Sequence, residues 1–200
     1  MADIPTVIVI AAAWCALHSL MITRAWERGV ARIGSRASAW HRLVYNLVSA
    51  VTLLWCWLEF RARPGEVLWA WHGLWQLPRL AGLGLAIWLG WAGARVHDNA
   101  AFLGLRQIRD HRDGQAPAPP ILSREGILGD LRHPYYAAGL LAVFLWDDFT
   151  TTNVAWRGVF MLYLLLGAWL EERKLVAVHG DAYRRYRREV PALWPKRPRS

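Results

Sequence analysis

The sequence predicts an all-α, polytopic membrane helical bundle of about five transmembrane helices, with a short C-terminal amphipathic helix. Three observations predict it. The chain has 200 residues, is 55% hydrophobic and carries 14 tryptophans. Its apolar residues gather in runs of about 20, the length a helix needs to cross the hydrocarbon layer. Its formal net charge is +9, and the basic residues fall to one side of those runs. A basic balance also suits a nucleic-acid partner, but the apolar runs decide for a membrane, and no nucleic-acid role is expected.

Taken in order, Ile4–Ile22 holds one ionisable side chain, His18. It lacks the basic leader and small-residue cleavage site of a secretory signal, so a retained helix is expected. Leu43–Phe60 holds only Glu59. Leu77–Val96 holds Arg79 and Arg95 near its ends, and Phe149–Leu170 holds only Arg157. Tyr135–Trp146 is apolar but short, roughly 18 Å at a 1.5 Å rise per residue. Asp147-Asp148 stops it, so it reads as the short arm of a helical hairpin with Phe149–Leu170.

With the N-terminus outside and five spans, twenty of the 24 Lys and Arg residues lie on the inner side. That places the C-terminus, Arg132 and Glu171 in the cytosol. Functionally the chain divides into a three-helix membrane part (1–96), a cytosolic connector (97–131), and a C-terminal hairpin with basic tail (132–200). The stretch Asp113 to Pro120 reads as non-helical because its prolines fix φ and remove donors. His179-Gly180-Asp181 reads as a helix stop, followed by a short helix Ala182–Glu189 with Tyr183, Tyr186 and Val190 on one face. Arg184, Arg185, Arg187 and Arg188 fill the other faces and read as a solvated, headgroup-facing surface. Cys15 and Cys56 lie inside helices without metal or redox spacing. His18, His41, His72 and His97 are scattered, with no helical i, i+4 pair to suggest a metal site. Gly82-Leu83-Gly84 lies within a span and suits close helix packing.

One constellation carries chemistry. It pairs Arg132-His133-Pro134-Tyr135-Tyr136 with Glu171-Glu172. From the turn near Asp148, His133 lies about fifteen residues back along one arm; the same distance forward reaches the mid-160s, and Glu171-Glu172 lies one to two turns further, so both sets are expected at the same mouth. Taken singly, Arg132 reads as an interfacial charge, His133-Pro134 as a helix start, and Glu171-Glu172 as partners for nearby basic residues. Together they place cations, rings and carboxylates beside an apolar wall. That arrangement suits a ligand carrying both a cation and a carboxylate.

Residues 123–195 resemble the C-terminal core of the isoprenylcysteine carboxyl methyltransferase family. The matching pieces are Gly126, Arg132 to Tyr136, Gly139, Glu171-Glu172, Leu175, Gly180, Tyr183, Tyr186, Val190-Pro191 and Pro195. The first half, through Ala16-Leu17-His18-Ser19-Leu20 and Tyr45-Asn46-Leu47-Val48-Ser49, is similar to NnrU-like proteins and bacterial thiol S-methyltransferases.

The resemblance implies an S-adenosylmethionine site and methyl transfer to a small thiol, carboxylate or lipid-like acceptor. It implies that His133, Pro134, Tyr135 and Tyr136 hold the cofactor, with Glu171 facing them and the connector at Pro120, Ile121, Leu122 and Ser123 closing over it. Arg132 could take the methionine carboxylate. In-line methyl transfer mostly requires alignment and exclusion of water. A base, if one is used, is Glu172 or His133. Two positions depart from the isoprenylcysteine enzymes: Gly167 stands where they carry an arginine that helps hold the substrate, and Leu128 where they carry a tyrosine. The acceptor is therefore not assumed to be a prenylcysteine. The alternative is a non-enzymatic NnrU-like membrane protein of nitrogen-oxide metabolism or haem handling. Membrane lipid is an expected partner in either case.

Overall fold

A computed structural model describes residues 3–116 and 121–194. Pro117 to Pro120, Pro195, Lys196, Arg197 and Arg199, used in the sequence reading, lie outside them. The helices are α1 (Ile4–Met21), α2 (Arg24–Ile33), α3 (Ser35–Arg61), α4 (Gln76–Val96), α5 (Asn99–Leu103), α6 (Leu105–Arg112), α7 (Pro134–Leu145) and α8 (Thr151–Glu189). Two short strands, β1 (Val67–Trp69) and β2 (Phe149–Thr150), pair antiparallel. Three helices, α1, α3 and α8, are long and apolar enough to cross a membrane. α4, expected as a further span, is a helix of 21 residues but is not one of these three. α7 is apolar and short, as its 12-residue run requires.

The boundaries moved in places. α3 begins at Ser35, eight residues before its apolar run, because Gly34 takes φ 145° and lets a new helix start at once. Phe149, expected in a helix, sits in β2 against Trp69, and Thr150 caps α8 by accepting from Asn153 N at 3.1 Å. The connector is not all loop: Asp98 accepts from Ala101 N at 3.0 Å and starts α5, and α6 follows directly.

The chain packs as two compact units, residues 1–66 with 98–120, and residues 67–97 with 121–200. In the first, α1, α3 and the α5–α6 pair meet. Arg42 Nε and Asn46 Nδ2 donate to the Phe102 carbonyl at 3.2 and 2.9 Å. Gly104 follows at φ 92°, where a Cβ would meet the Leu43 backbone nitrogen at 2.5 Å, so only glycine fits. Between α1 and α3 a polar cluster forms. The two ring nitrogens of His18 meet the Tyr45 hydroxyl at 2.5 Å and Ser49 Oγ at 3.0 Å, and Trp14 stacks on the ring at 4.8 Å.

In the second unit, α7 packs on α4 and α8. A Cβ on Gly82 of α4 would displace the end of the Leu145 side chain of α7, the close packing expected of this glycine; Gly84 faces open space. The Asp147-Asp148 turn is tied down. The Asp148 carboxylate accepts from Trp71 N at 2.8 Å, and the Asp147 carbonyl accepts from Arg157 Nη2 at 2.7 Å. Arg79 donates to the carbonyls of Leu145 and Trp146 at 3.0 and 2.7 Å, holding the C-terminal end of α7, where carbonyls lack helical partners. α8 runs 39 residues but is broken at Gly180, so its straight part before the break is about 44 Å at 1.5 Å per residue. Its first part is apolar, and charged residues become frequent from Glu171 onward.

Candidate functional site

The site is built on a bend. Gly180 takes φ 56° and ψ −129° inside α8, the helix break its sequence predicts. On a straight helix Tyr183 would stand about 16 Å along the axis from Glu172. The bend instead returns residues 183–190 to the base of α7, where Tyr183, Tyr186 and Val190 form a buried cluster packed by Leu122, Leu175 and Val176. The chain then pairs backbone to backbone: Arg132 N donates to the Pro191 carbonyl at 2.9 Å, and His133 N to that of Ala192 at 3.0 Å.

At the centre stands Glu172, 8% exposed. Its Oε1 accepts from Arg132 Nε and Nη2 at 2.8 Å each, from His133 Nε2 at 3.0 Å, and from the Tyr183 hydroxyl at 3.0 Å. Its Oε2 takes Arg187 Nε at 2.8 Å. Burial alone would raise this carboxyl's pKa, but the hydrogen bonds from His133 and Arg132 outweigh it and hold it below the ordinary value. Burial, followed by the Glu172 charge, pushes the Tyr183 hydroxyl well above its usual range. A carboxylate so surrounded is an anchor: desolvated, ionised and satisfied.

Each expected site residue can be placed. Arg132 and His133 converge on Glu172. The remaining Arg132 donors go to the carbonyls of Arg187, at 3.0 Å, and of Val190. Pro134 is fully buried at the first turn of α7. Tyr135 turns the other way, with its ring 5.0 Å from that of His97 and against Gly93. Tyr136 stands edge-on to His133 at 5.6 Å and lies over Gly167, where a Cβ would approach its ring at 3.1 Å. Glu171 is exposed beside the buried Glu172. Ile121 is 86% exposed, whereas Leu122 packs on the tyrosine cluster. Ser123 Oγ accepts from Glu125 N at 3.2 Å.

Arg187 stays exposed, as its reading expects, and it also pairs with Glu172, because the bend at Gly180 brings the two alongside. Tyr183 and Arg187 as partners of Glu172 have no signal in helical spacing; only the glycine at the bend hints at the return. Leu128 is buried, and its carbonyl accepts from the Tyr186 hydroxyl at 2.5 Å.

Comparison with curated proteins decides the family. A methanethiol S-methyltransferase of Bradyrhizobium diazoefficiens is 30% identical over 190 residues, covering 90% of this chain and 68% of the relative. The chain belongs to the methanethiol S-methyltransferase family. It is by that membership a methyltransferase. Relatives of the same name from Crocosphaera subtropica (29% identical, 89% of the chain, 69% of the relative) and Mycobacterium tuberculosis (28%, 90% and 74%) align over most of the chain. Against a relative from a Pseudomonas species at 32% identity, the chain spans 50% of the length. No family model matches the sequence, and no solved structure matches it. The NnrU-like alternative is not favoured by these relatives.

Proposed function

We propose that this methyltransferase moves a methyl group from S-adenosylmethionine to a small thiol of the methanethiol kind, at the cytosolic face of a bacterial inner membrane. Five spans with the N-terminus outside remain the proposed topology, carried by the basic bias. The observation that carries the function is the convergence of Arg132, His133 and Tyr183 on Glu172 in a chain of this family.

The residues present fit the cofactor. The exposed Glu171 carboxylate suits an ammonium group, the Tyr136 ring beside His133 suits a sulfonium, and Ile121, Leu122 and Ser123 offer an apolar and hydroxyl-bearing edge to a nucleoside; Tyr135, turned toward His97, supports the site from behind rather than touching the cofactor. When bound, the cofactor supplies an electrophilic methyl group on a positively charged sulfur. Arg132, with its donors already committed, acts by fixing Glu172 and the backbone of residues 187–190; this replaces the carboxylate-binding role considered from sequence. Pro134 starts α7 so that His133 and Tyr136 are presented on one turn. Glu172, considered as a base, is read as a positioning residue, since four side chains donate to it and its pKa is depressed. Tyr136 lying over Gly167 leaves that place to a ring rather than to an arginine, which supports a small acceptor over a prenylcysteine.

The test is incubation of the protein in lipid with labelled S-adenosylmethionine and a panel of methanethiol, larger thiols and prenylcysteines. Dimethyl sulfide from methanethiol is expected. Calorimetry showing no affinity for S-adenosylmethionine would remove the cofactor reading, and methylation confined to prenylcysteine would remove the acceptor.

A further inference from the structure

The first compact unit carries a surface that the methyl-transfer reading does not use. α2 has ten residues and none of them is buried. A helix this short is marginal alone in water and normally gains its stability by packing an apolar face. Its start is well made: Thr23 Oγ1 accepts from Trp26 N at 3.2 Å, and Glu27 lies in the first turn. At about 100° per residue, Arg24, Arg28 and Arg32 fall on one side and Trp26, Val30 and Ile33 on the opposite one. Trp26 is 39% and Ile33 80% exposed. The three arginines make no ion pair among the described residues, and Arg28 Nε reaches only the Arg24 carbonyl, at 3.2 Å.

What covers this apolar stripe follows from connectivity. α2 joins α1 to α3 across one residue pair at its start and a glycine at its end, and both neighbours are long and apolar enough to cross a membrane. Its two ends are therefore held at a membrane boundary. Two shallow depressions lie along it. One, of about 690 Å³, is lined by Arg24, Glu27, Arg28 and Ala31; the other, of about 520 Å³, lies at the α2–α3 corner beside Ile33, Arg36 and Trp40.

We propose that α2 is an interfacial helix that binds anionic phospholipid, its Trp26–Val30–Ile33 stripe in the acyl boundary and Arg24, Arg28 and Arg32 on the headgroup phosphates. The charge pattern favours a lipid phosphate over an acidic protein, because the apolar stripe needs a lipid boundary on the side opposite the arginines.

The experiment is native mass spectrometry of the full chain in a neutral detergent, with phosphatidylglycerol or phosphatidylcholine added at equal concentration. Wild-type protein is expected to retain phosphatidylglycerol preferentially, and the preference should fade as salt rises. Arg24→Gln, Arg28→Gln and Arg32→Gln together should weaken that retention by about tenfold or more, while the same three changes to Lys preserve it. Equal retention of both lipids by wild type, or unchanged phosphatidylglycerol retention in the Gln variant, overturns the proposal. Should the triple variant fail to fold, Arg24→Gln and Arg28→Gln made singly decide: each should weaken phosphatidylglycerol retention, and unchanged retention in both overturns the proposal.

Discussion

His18 and Glu172 each anchor a polar cluster, one in each compact unit, and they solve the same problem differently. His18 lies in an apolar helix of membrane length and is satisfied by neutral groups: a phenol, a hydroxyl and an indole face. Glu172 lies beyond the apolar part of α8 and gathers two guanidinium groups, an imidazole and a phenol. Within a membrane stretch, net charge is expensive and neutral hydrogen bonds suffice. Past its edge, a buried carboxylate is tolerable when every lone pair is used, and it can then tie distant segments together. The His18 cluster joins two helices; the Glu172 cluster joins α7, α8 and the returning C-terminal segment.

Breaking the charged cluster should have the largest effect. Glu172→Ala leaves Arg132 buried without its anion and should cost about 3–5 kcal/mol in stability, with loss of the proposed S-adenosylmethionine binding. Thermal unfolding in detergent, read beside calorimetry, checks both; a variant that keeps wild-type stability would show that the carboxylate is not an anchor. Acid should act at the same place. The Glu172 carboxyl is held below its ordinary value, so its contribution is fully present above the unfolded value of about 4.3 and is lost as pH falls through the lower folded value. Melting temperature followed from neutral pH downward should therefore fall below about pH 4 in wild type, and Glu172→Gln should flatten that limb.

Smaller effects sharpen the contrast. Gly180→Ala forces a side chain into φ 56° and should cost about 1–2 kcal/mol, with binding weakened because Tyr183 and Arg187 no longer return to Glu172. Tyr45→Phe, which removes one neutral hydrogen bond from the His18 cluster, should cost about 1 kcal/mol and leave S-adenosylmethionine affinity unchanged. A drop in affinity there would tie the two clusters together functionally. Arg124→Gln, at the solvent-exposed pair with Glu189, should cost less than about 1 kcal/mol.

Much of this was legible beforehand because period and composition are local. The helices α1, α3 and α7 follow their apolar runs. Gly180 announced its bend, and Arg132-His133 with Glu171-Glu172 announced the mouth of the hairpin. The short β1–β2 pairing escaped notice because Phe149 belongs to an apolar run that also suits a helix, and only a partner strand at Val67–Trp69 decides against it. The division of labour between Glu171 and Glu172 was also hidden. Adjacent residues on a helix point about 100° apart, so one is buried and the other exposed, and the sequence treats them alike.

The sequence by itself determined a membrane helical protein with a cationic, aromatic and acidic constellation at one end of a hairpin, because hydrophobic length, charge bias and motif spacing are properties of the chain alone. Only the tertiary structure decided that Arg132 and Arg187 are spent on Glu172 and that Tyr183 joins them. Those partners stand 40, 15 and 11 residues from the carboxylate; the hairpin brings the first to it, and the bend at Gly180 rather than a period brings the other two.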